Sequence, residues 1–278
     1  MSTDISSITT EGITMRYMKF GAGPRTMVIL PGLAVKSVLL SADAIANQYK
    51  SVTEDFTVYL FDRREELPDN YTIEQMAEDT AKVMKALGLS GVYLFGASQG
   101  GMMSLVIAAR YPELVSKLVA GSTCARFDDS NSSLSEWVTL AEEGRGEDLC
   151  LGFASKIYPA SIAEATQDFF ADTGRSVTEE EFARFVVLAK ATDGFDITPE
   201  LKNIECPVLV LGAEDDLVLG GQASRDIYEA LEPQGKAELY MYDGYGHAAF
   251  DTAPDYLARM CAFFLAQTAK REKYIEIR

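Results

Sequence analysis

One serine, one histidine and a pair of adjacent aspartates stand where nucleophilic catalysis would need them. A serine hydroxyl is a poor nucleophile unless a neighbouring base accepts its proton, and the base needs an acceptor that fixes its tautomer. Ser98 lies in the segment GASQG, and His247 is the only histidine of the chain. We therefore predict Ser98 as nucleophile, His247 as base and Asp215 as the acid that orients the histidine, with Asp216 as the alternative acid.

The surroundings of Ser98 have the form of a nucleophile elbow. The apolar run VYLF leads directly into GASQGG, and a helical pattern follows as far as Tyr111. In such a strand–serine–helix turn the serine is strained, and small residues two positions before and after it let the strand and helix backbones pass closely. The spacing predicts an exposed serine hydroxyl at a helix N-terminus, where the dipole favours developing negative charge.

The predicted base and acid both follow apolar runs that read as strands. His247 ends the loop DGYGH after the run AELYMY, and the acidic cluster follows the run CPVLVLG. Sheets with parallel strands build their sites at the carboxyl ends of those strands. Asp215 lies three residues past Gly212 and is the preferred acid, while a solvated turn is the ordinary role of such a cluster.

The elements that would hold these residues alternate strand and helix. Several strand candidates are continuously apolar, which favours parallel strands buried on both faces. The candidate strands are Gly12 to Phe20, Thr26 to Leu30, Thr57 to Phe61, Gly91 to Phe95, Lys117 to Gly121, 206–212 and 237–242. We predict an α/β fold with a mostly parallel central sheet flanked by helices.

The clearest predicted helix lies between Phe61 and Gly91. Apolar residues recur there at spacings of three and four from Ile73 to Leu87, the pattern of one buried helical face. Thr72 and Gln75 form a predicted capping box at its start, and Gly88 is its predicted stop.

Strand patterns disappear between residues 124 and 200. This segment reads as short helices joined by polar loops, so we predict an inserted helical cap at 124–200 and a core domain made of 1–123 and 201–278. Its aromatic residues are candidate liners of a substrate pocket, although packing between cap helices is their more ordinary role. They are Trp137, Phe153, Tyr158, Phe169, Phe170, Phe182, Phe185 and Phe195.

The charge and residue composition of the chain limit the classes of partner and the metal ions that it could bind. A formal net charge of −17 would repel nucleic acid and anionic membrane surfaces. The N-terminal residues lack a basic region followed by an apolar run, so a cytoplasmic protein is expected. The four cysteines are far apart, without a C-x-x-C pair, and a single histidine argues against multi-histidine metal sites. The oligomeric state is left open.

With elbow, acid and histidine in this order, the chain resembles the α/β-hydrolase superfamily over essentially its whole length. The resemblance implies an oxyanion hole formed by the backbone N–H groups of Gln99 and Leu33. Many relatives have His-Gly where this chain has Pro31-Gly32, a change that keeps the main-chain donor. The resemblance also implies structural roles for Asp62 and Arg63, and Met102 and Met103 are expected in the core.

The resemblance implies hydrolysis of a carboxylic ester with a small or medium acyl group, without metal or organic cofactor. The cap would close over Ser98. Other members of the fold are thioesterases, acyltransferases and C–C bond hydrolases, and these stay open as alternatives. A ligand-binding protein that keeps the fold without the chemistry is the alternative outside the enzymes.

Overall fold

The computed structural model describes residues 3–127 and 133–266, and its centre is an eight-stranded sheet. The strands are β1 (Asp4–Thr10), β2 (Ile13–Phe20), β3 (Arg25–Leu30), β4 (Phe56–Arg64), β5 (Val92–Ala97), β6 (Val115–Gly121), β7 (Val208–Ala213) and β8 (Ala237–Tyr242). Their spatial order is β1-β2-β4-β3-β5-β6-β7-β8. The pairs β1–β2 and β2–β4 are antiparallel, and all the other pairs are parallel.

Successive residues of the central strands enter opposite layers of the core. In β3, Val28 and Leu30 pack in one buried cluster, whereas Met27 and Ile29 pack in the other. Side chains alternate across a strand, so a strand covered on both faces must be apolar throughout. The predicted mostly parallel α/β architecture is confirmed.

Strand β1 was not predicted. Its sequence, DISSITT, is largely polar, and none of its residues is buried. Among the described strands it pairs only with β2, at the edge of the sheet. An edge strand with little burial needs few apolar residues, so the pattern that identifies the central strands is absent here.

Helices cover both faces of the sheet. They are α1 (Ala42–Gln48), α2 (Ile73–Ala86), α3 (Gln99–Arg110), α4 (Leu134–Glu142), α5 (Gly146–Ile157), α6 (Ala160–Ala165), α7 (Gln167–Arg175), α8 (Glu179–Lys190), α9 (Gly221–Leu231), α10 (Ala249–Thr252) and α11 (Tyr256–Leu265). The predicted capping box of α2 is confirmed: the Gln75 N–H donates to Thr72 Oγ1, and the Thr72 N–H donates to Gln75 Oε1.

Helices α4 to α8 lie between β6 and β7 in the chain and form a helical cap. Where the chain enters and leaves this segment its two ends run side by side: the Phe127 N–H donates to the Phe195 carbonyl at 2.9 Å, and the Ile197 N–H donates to the Ala125 carbonyl at 2.8 Å. This pairing supports an insertion, and the boundaries at 124 and 200 stay a prediction.

Across the described ranges, no helix combines the length and the apolar character that a bilayer crossing requires.

Candidate active site

Ser98 occupies the sharp turn between β5 and α3. Its backbone lies at φ +52° and ψ −122°, a conformation that costs a non-glycine residue about 1–3 kcal/mol and persists only where its surroundings impose it. The Ser98 N–H donates to the Gly121 carbonyl at 2.8 Å, and Thr123 Oγ1 donates to the Ser98 carbonyl at 2.7 Å. Both backbone groups of the turn are therefore held by the end of the neighbouring strand β6.

The glycines around Ser98 are required by close backbone approach. A Cβ on Gly96 would overlap the Gly100 carbonyl, and a Cβ on Gly100 would overlap the Leu30 carbonyl of β3. A Cβ on Gly101 would collide with the side chain of Thr123. The predicted strand–serine–helix elbow is present, and its spacing has the steric cause expected from the sequence.

His247 lies in the loop after β8 and is only 3% exposed. Gly244 and Gly246 have φ values of +81° and +62°, which turn the loop over the end of the sheet. The Ala248 N–H donates to the Ile157 carbonyl at the end of cap helix α5, at 2.8 Å. The histidine loop is thus held by the core on one side and by the cap on the other.

The acid that contacts the histidine is Asp216, so the choice of Asp215 was wrong for this contact. Asp216 Oδ2 lies 2.8 Å from His247 Nδ1, whereas Asp215 Oδ2 accepts the Gly246 N–H at 3.0 Å. Strand β7 continues to Ala213 and the turn follows it, which brings the fourth residue after Gly212 to the imidazole rather than the third. Asp215 instead holds the backbone of the histidine loop.

The Asp216 carboxylate is fixed at both oxygens. Its Oδ1 accepts the N–H groups of Val218 at 2.8 Å and Leu219 at 2.9 Å. Burial alone would raise the pKa of Asp216, but the charge and hydrogen bond of His247, together with the two backbone N–H groups, outweigh it and hold that pKa below its ordinary value. An ionised acceptor therefore faces His247 Nδ1, which leaves Nε2 as the nitrogen available to a nucleophile.

Ser98, His247, Gln99 and Leu33 line one cavity of about 70 Å³. The loop before Leu33 runs against the serine, since a Cβ on Gly32 would lie 3.3 Å from Ser98 Cβ. The structure thus brings the predicted nucleophile, the predicted base and both residues of the predicted oxyanion hole to one place.

The other described residues of the cavity wall are almost all apolar. They include Met102, Phe127, Leu134, Trp137, Phe153, Ile157, Thr192, Val218, Leu219 and Phe250. Trp137 and Phe153 are the two of the eight cap aromatics that line it. Met102 lies in the wall as well as in the core. The sequence pattern did not indicate Phe127 or Phe250, because Phe127 lies outside the regular elements and Phe250 lies in α10, which has only four residues.

The other cap aromatics mostly pack among themselves or against the core. Phe185 and Phe195 are fully buried, Tyr158 packs against Phe170 with ring centroids 5.8 Å apart, and Phe169 is 65% exposed. Helix packing, the ordinary role considered for these residues, therefore accounts for most of them.

None of the four cysteines lines the cavity that contains Ser98. Burial raises the pKa of their thiols, to about 12 for Cys124, Cys206 and Cys261 and to about 11 for Cys150. A thiol with so high a pKa is a weak nucleophile at neutral pH. The part of the chain that the structure describes has no group of three or more His, Cys, Asp or Glu residues placed to hold a metal ion.

Comparisons with known proteins agree with this architecture. A family model for the alpha/beta hydrolase fold matches residues 25–146. A RutD protein of Agrobacterium fabrum, named as a carbamate hydrolase, is 28% identical over 260 residues, covering 89% of this chain and 98% of that protein. A protein of the same name from Caulobacter sp. is 26% identical over 268 residues, covering 90% and 94%.

Solved structures match over nearly the whole length. MGS-M2, an alpha/beta hydrolase enzyme from a Medee basin deep-sea metagenome library, superposes with a TM-score of 0.83 at 20% identity, covering 96% of this chain and 100% of that one. The enol-lactonase of Burkholderia xenovorans superposes with a TM-score of 0.76 at 20% identity, covering 94% and 100%. The family match, the sheet order and the serine elbow together show that the chain has the α/β-hydrolase fold.

Proposed function

We propose that this protein is a serine hydrolase that cleaves carboxylic esters of small, uncharged acyl groups. The observation that carries the proposal is the convergence on one cavity of a strained serine and a buried histidine whose Nδ1 is bonded to Asp216. Named hydrolases among the relatives and structural neighbours support the broader assignment to hydrolysis.

The mechanism follows from the roles that this geometry allows. Ser98 Oγ attacks the ester carbonyl while His247 Nε2 accepts its proton, and the imidazolium that forms is stabilised by the Asp216 carboxylate. The N–H groups of Gln99 and Leu33 would hold the oxyanion of the tetrahedral intermediate. His247 then returns the proton to the leaving alcohol. Water, activated by the same histidine, releases the acid from Ser98.

The volume of the cavity limits the acyl group. At about 70 Å³ it is smaller than the roughly 150 Å³ apolar cavity that accommodates benzene in another protein. An acetyl or propionyl chain fits such a space, whereas a benzoyl or hexanoyl chain requires the cap to move. We therefore favour the small end of the predicted range of acyl groups.

The apolar lining of the cavity limits the charge that the acyl group can carry. Among the described residues that line the cavity, His247 has the only ionisable side chain. A charged acyl chain would lose its hydration there without gaining an opposite charge, which is costly. The structure therefore favours an uncharged acyl chain.

A carbamate is the second candidate, because relatives at 26–28% identity are named as carbamate hydrolases. The same attack by Ser98 would serve, but an unsubstituted carbamate adds an NH₂ group that needs acceptors. Among the described residues of the wall, Thr192 is the only side chain with a nitrogen or oxygen acceptor apart from Ser98, Gln99 and His247, and the Gln99 side chain is already bonded to Arg63 and Leu188. Since unpaired donors in an apolar site are costly, we expect esters to be the better substrates.

The test is hydrolysis of a p-nitrophenyl ester series from acetate to octanoate by the wild type, Ser98→Ala and Ser155→Ala. Ser155 is exposed on α5 and donates to the Gly152 carbonyl, so its replacement is the matched control. We expect the highest kcat/KM with acetate or propionate, loss of activity in Ser98→Ala and wild-type activity in Ser155→Ala. Undiminished turnover in Ser98→Ala would refute the proposal.

A matched pair of substrates distinguishes ester hydrolysis from carbamate hydrolysis. p-Nitrophenyl acetate and p-nitrophenyl carbamate have the same leaving group and acyl parts of similar size. We expect a higher kcat/KM for the acetate. A kcat/KM that is higher for the carbamate would make carbamate hydrolysis the leading assignment.

A further inference from the structure

A buried arginine beneath the active site binds two neutral acceptors. Arg63, at the end of β4, is 6% exposed. Its Nη2 donates to the Pro31 carbonyl at 2.8 Å and to Gln99 Oε1 at 3.1 Å. Burial lowers the pKa of Arg63 to about 10, so the guanidinium stays charged at neutral pH. Burying a cation is costly, and a purely apolar residue could fill the same space.

The two acceptors belong to the two segments that would form the oxyanion hole. Gln99 itself carries one of the predicted N–H donors. The Pro31 carbonyl lies in the peptide unit next to the one that carries the Leu33 N–H, the other predicted donor. One guanidinium nitrogen therefore joins the loop after β3 to the first residue of α3, which are otherwise separate parts of the chain.

The same link extends into the cap. Gln99 Nε2 donates to the Leu188 carbonyl of α8 at 2.7 Å. Helix α8 is also bonded to the end of β4 and the residue after it through Arg184, which donates to the carbonyls of Arg63, Arg64 and Glu65. The position of α8 is thus transmitted to the Gln99 side chain by direct hydrogen bonds.

We infer that Arg63 and the Gln99 side chain are positioning residues that hold the two oxyanion N–H donors at their working separation and make that separation depend on cap helix α8. The inference rests on the proposed function, because it assigns a role within the same serine-hydrolase site. Neither side chain transfers a proton or touches the reacting atoms. Their contribution is to stabilise the tetrahedral intermediate by keeping the main-chain donors aligned.

The test compares Arg63→Met, Arg63→Lys and Gln99→Met with the wild type. For each we measure kcat and KM with p-nitrophenyl acetate, the pH profile of kcat/KM and inhibition by propylboronic acid, whose tetrahedral serine adduct places an oxygen in the oxyanion hole. Removing one oxyanion donor outright costs about 100–1000-fold in kcat. Misaligning two donors should cost less, so we expect kcat to fall by roughly 10–100-fold in both methionine variants.

Three further readouts distinguish positioning from general stabilisation. The boronate inhibition constant should rise by the same factor as kcat falls, while KM changes little and the acid limb of the pH profile stays in place. Arg63→Lys should recover part of kcat, because an ammonium group restores a charged donor without the planar fork. Arg64→Met is the matched control: Arg64 binds Asp79 at 3.0 Å and should lose stability without a change in the boronate constant.

The outcomes separate the inference from the function on which it rests. If the wild type hydrolyses esters through Ser98 but folded Arg63→Met and Gln99→Met keep wild-type kcat and boronate affinity, the inference is wrong and the proposed function stands. The inference also fails if kcat falls without a matching loss of boronate affinity. If Arg63→Met does not fold, Gln99→Met decides alone. If the wild type has no Ser98-dependent activity, both proposals fail.

Discussion

The catalytic corner and the cap meet at one cavity, yet they are held in different ways. The corner consists of the turns after β5, β7 and β8, where main-chain hydrogen bonds, positive φ values and close backbone contacts fix Ser98, Asp216 and His247. The cap has its own small apolar core, which includes Leu149 and Phe185. Under the proposed function, we expect the corner to determine whether the reaction occurs and the cap to determine which acyl group is accepted.

The largest expected effect comes from removing the base. His247→Ala leaves no other histidine in the chain, and removal of the base in a serine triad costs on the order of 10⁴–10⁶ in kcat. Steady-state kinetics with p-nitrophenyl acetate measures the loss. Activity within 10-fold of the wild type would show that His247 is not the base and that the corner does not carry out the reaction.

The next largest effect distinguishes the roles of Asp215 and Asp216. Asp216→Asn removes the ionised acceptor of His247 Nδ1 and should lower kcat by about 10⁴. Asp215→Asn keeps an acceptor for the Gly246 N–H, so we expect a loss of less than about 10-fold, in line with loss of charge at a retained hydrogen bond. Steady-state kinetics of the two variants, measured in parallel, gives the ratio of their kcat values. A larger loss for Asp215→Asn would reverse the assignment.

A smaller effect tests whether the cap determines the preferred length of the acyl chain. Phe153 and Phe182 are both half-buried and pack against the same cap cluster, but only Phe153 lines the cavity. Both alanine variants should lose stability, at most the roughly 3–5 kcal/mol typical of a fully buried phenylalanine. Only Phe153→Ala should shift the preferred ester toward longer acyl chains.

The chain-length profile of the two variants decides this point. A shift of equal size in Phe182→Ala would show that selectivity follows the stability of the cap rather than the shape of the wall.

The smallest effect is the pH dependence of stability. The pKa of Asp216 is lower in the folded protein than its ordinary value, so its contribution is complete above the unfolded value, about 3.9, and is lost as pH falls through the folded value. The difference in the free energy of unfolding between the wild type and Asp216→Asn should therefore shrink as the pH is lowered below about 4. Urea unfolding of both proteins between pH 3 and 6 measures this difference in the free energy of unfolding. A difference that grows toward low pH would contradict the lowered pKa of Asp216.

The same contrast explains what the sequence could predict. The elbow and the histidine loop were visible because their requirements are local: small residues around Ser98 and glycines before His247. The central strands were visible because burial on both faces demands continuous apolar runs. These features need no knowledge of distant residues.

The features that escaped prediction depend on geometry beyond the local pattern. Whether Asp215 or Asp216 reaches the imidazole depends on one residue of turn after β7, which composition does not reveal. Phe127 enters the cavity from an irregular segment and Phe250 from the four-residue helix α10, which is too short to give a periodic pattern. The link from Arg63 through Gln99 to Leu188 joins three segments that are far apart in the chain, so no local pattern indicates it.

The most direct test of the account is to trap the acyl-enzyme. The wild type and Ser98→Ala are mixed with p-nitrophenyl acetate, quenched in acid within the first turnover, digested and analysed by mass spectrometry. The account predicts an acetyl group on Ser98 in the wild type and no acetylated residue formed at a competent rate in Ser98→Ala. Acetylation of another residue at the rate of turnover, or hydrolysis that persists in Ser98→Ala without a covalent intermediate, would contradict it.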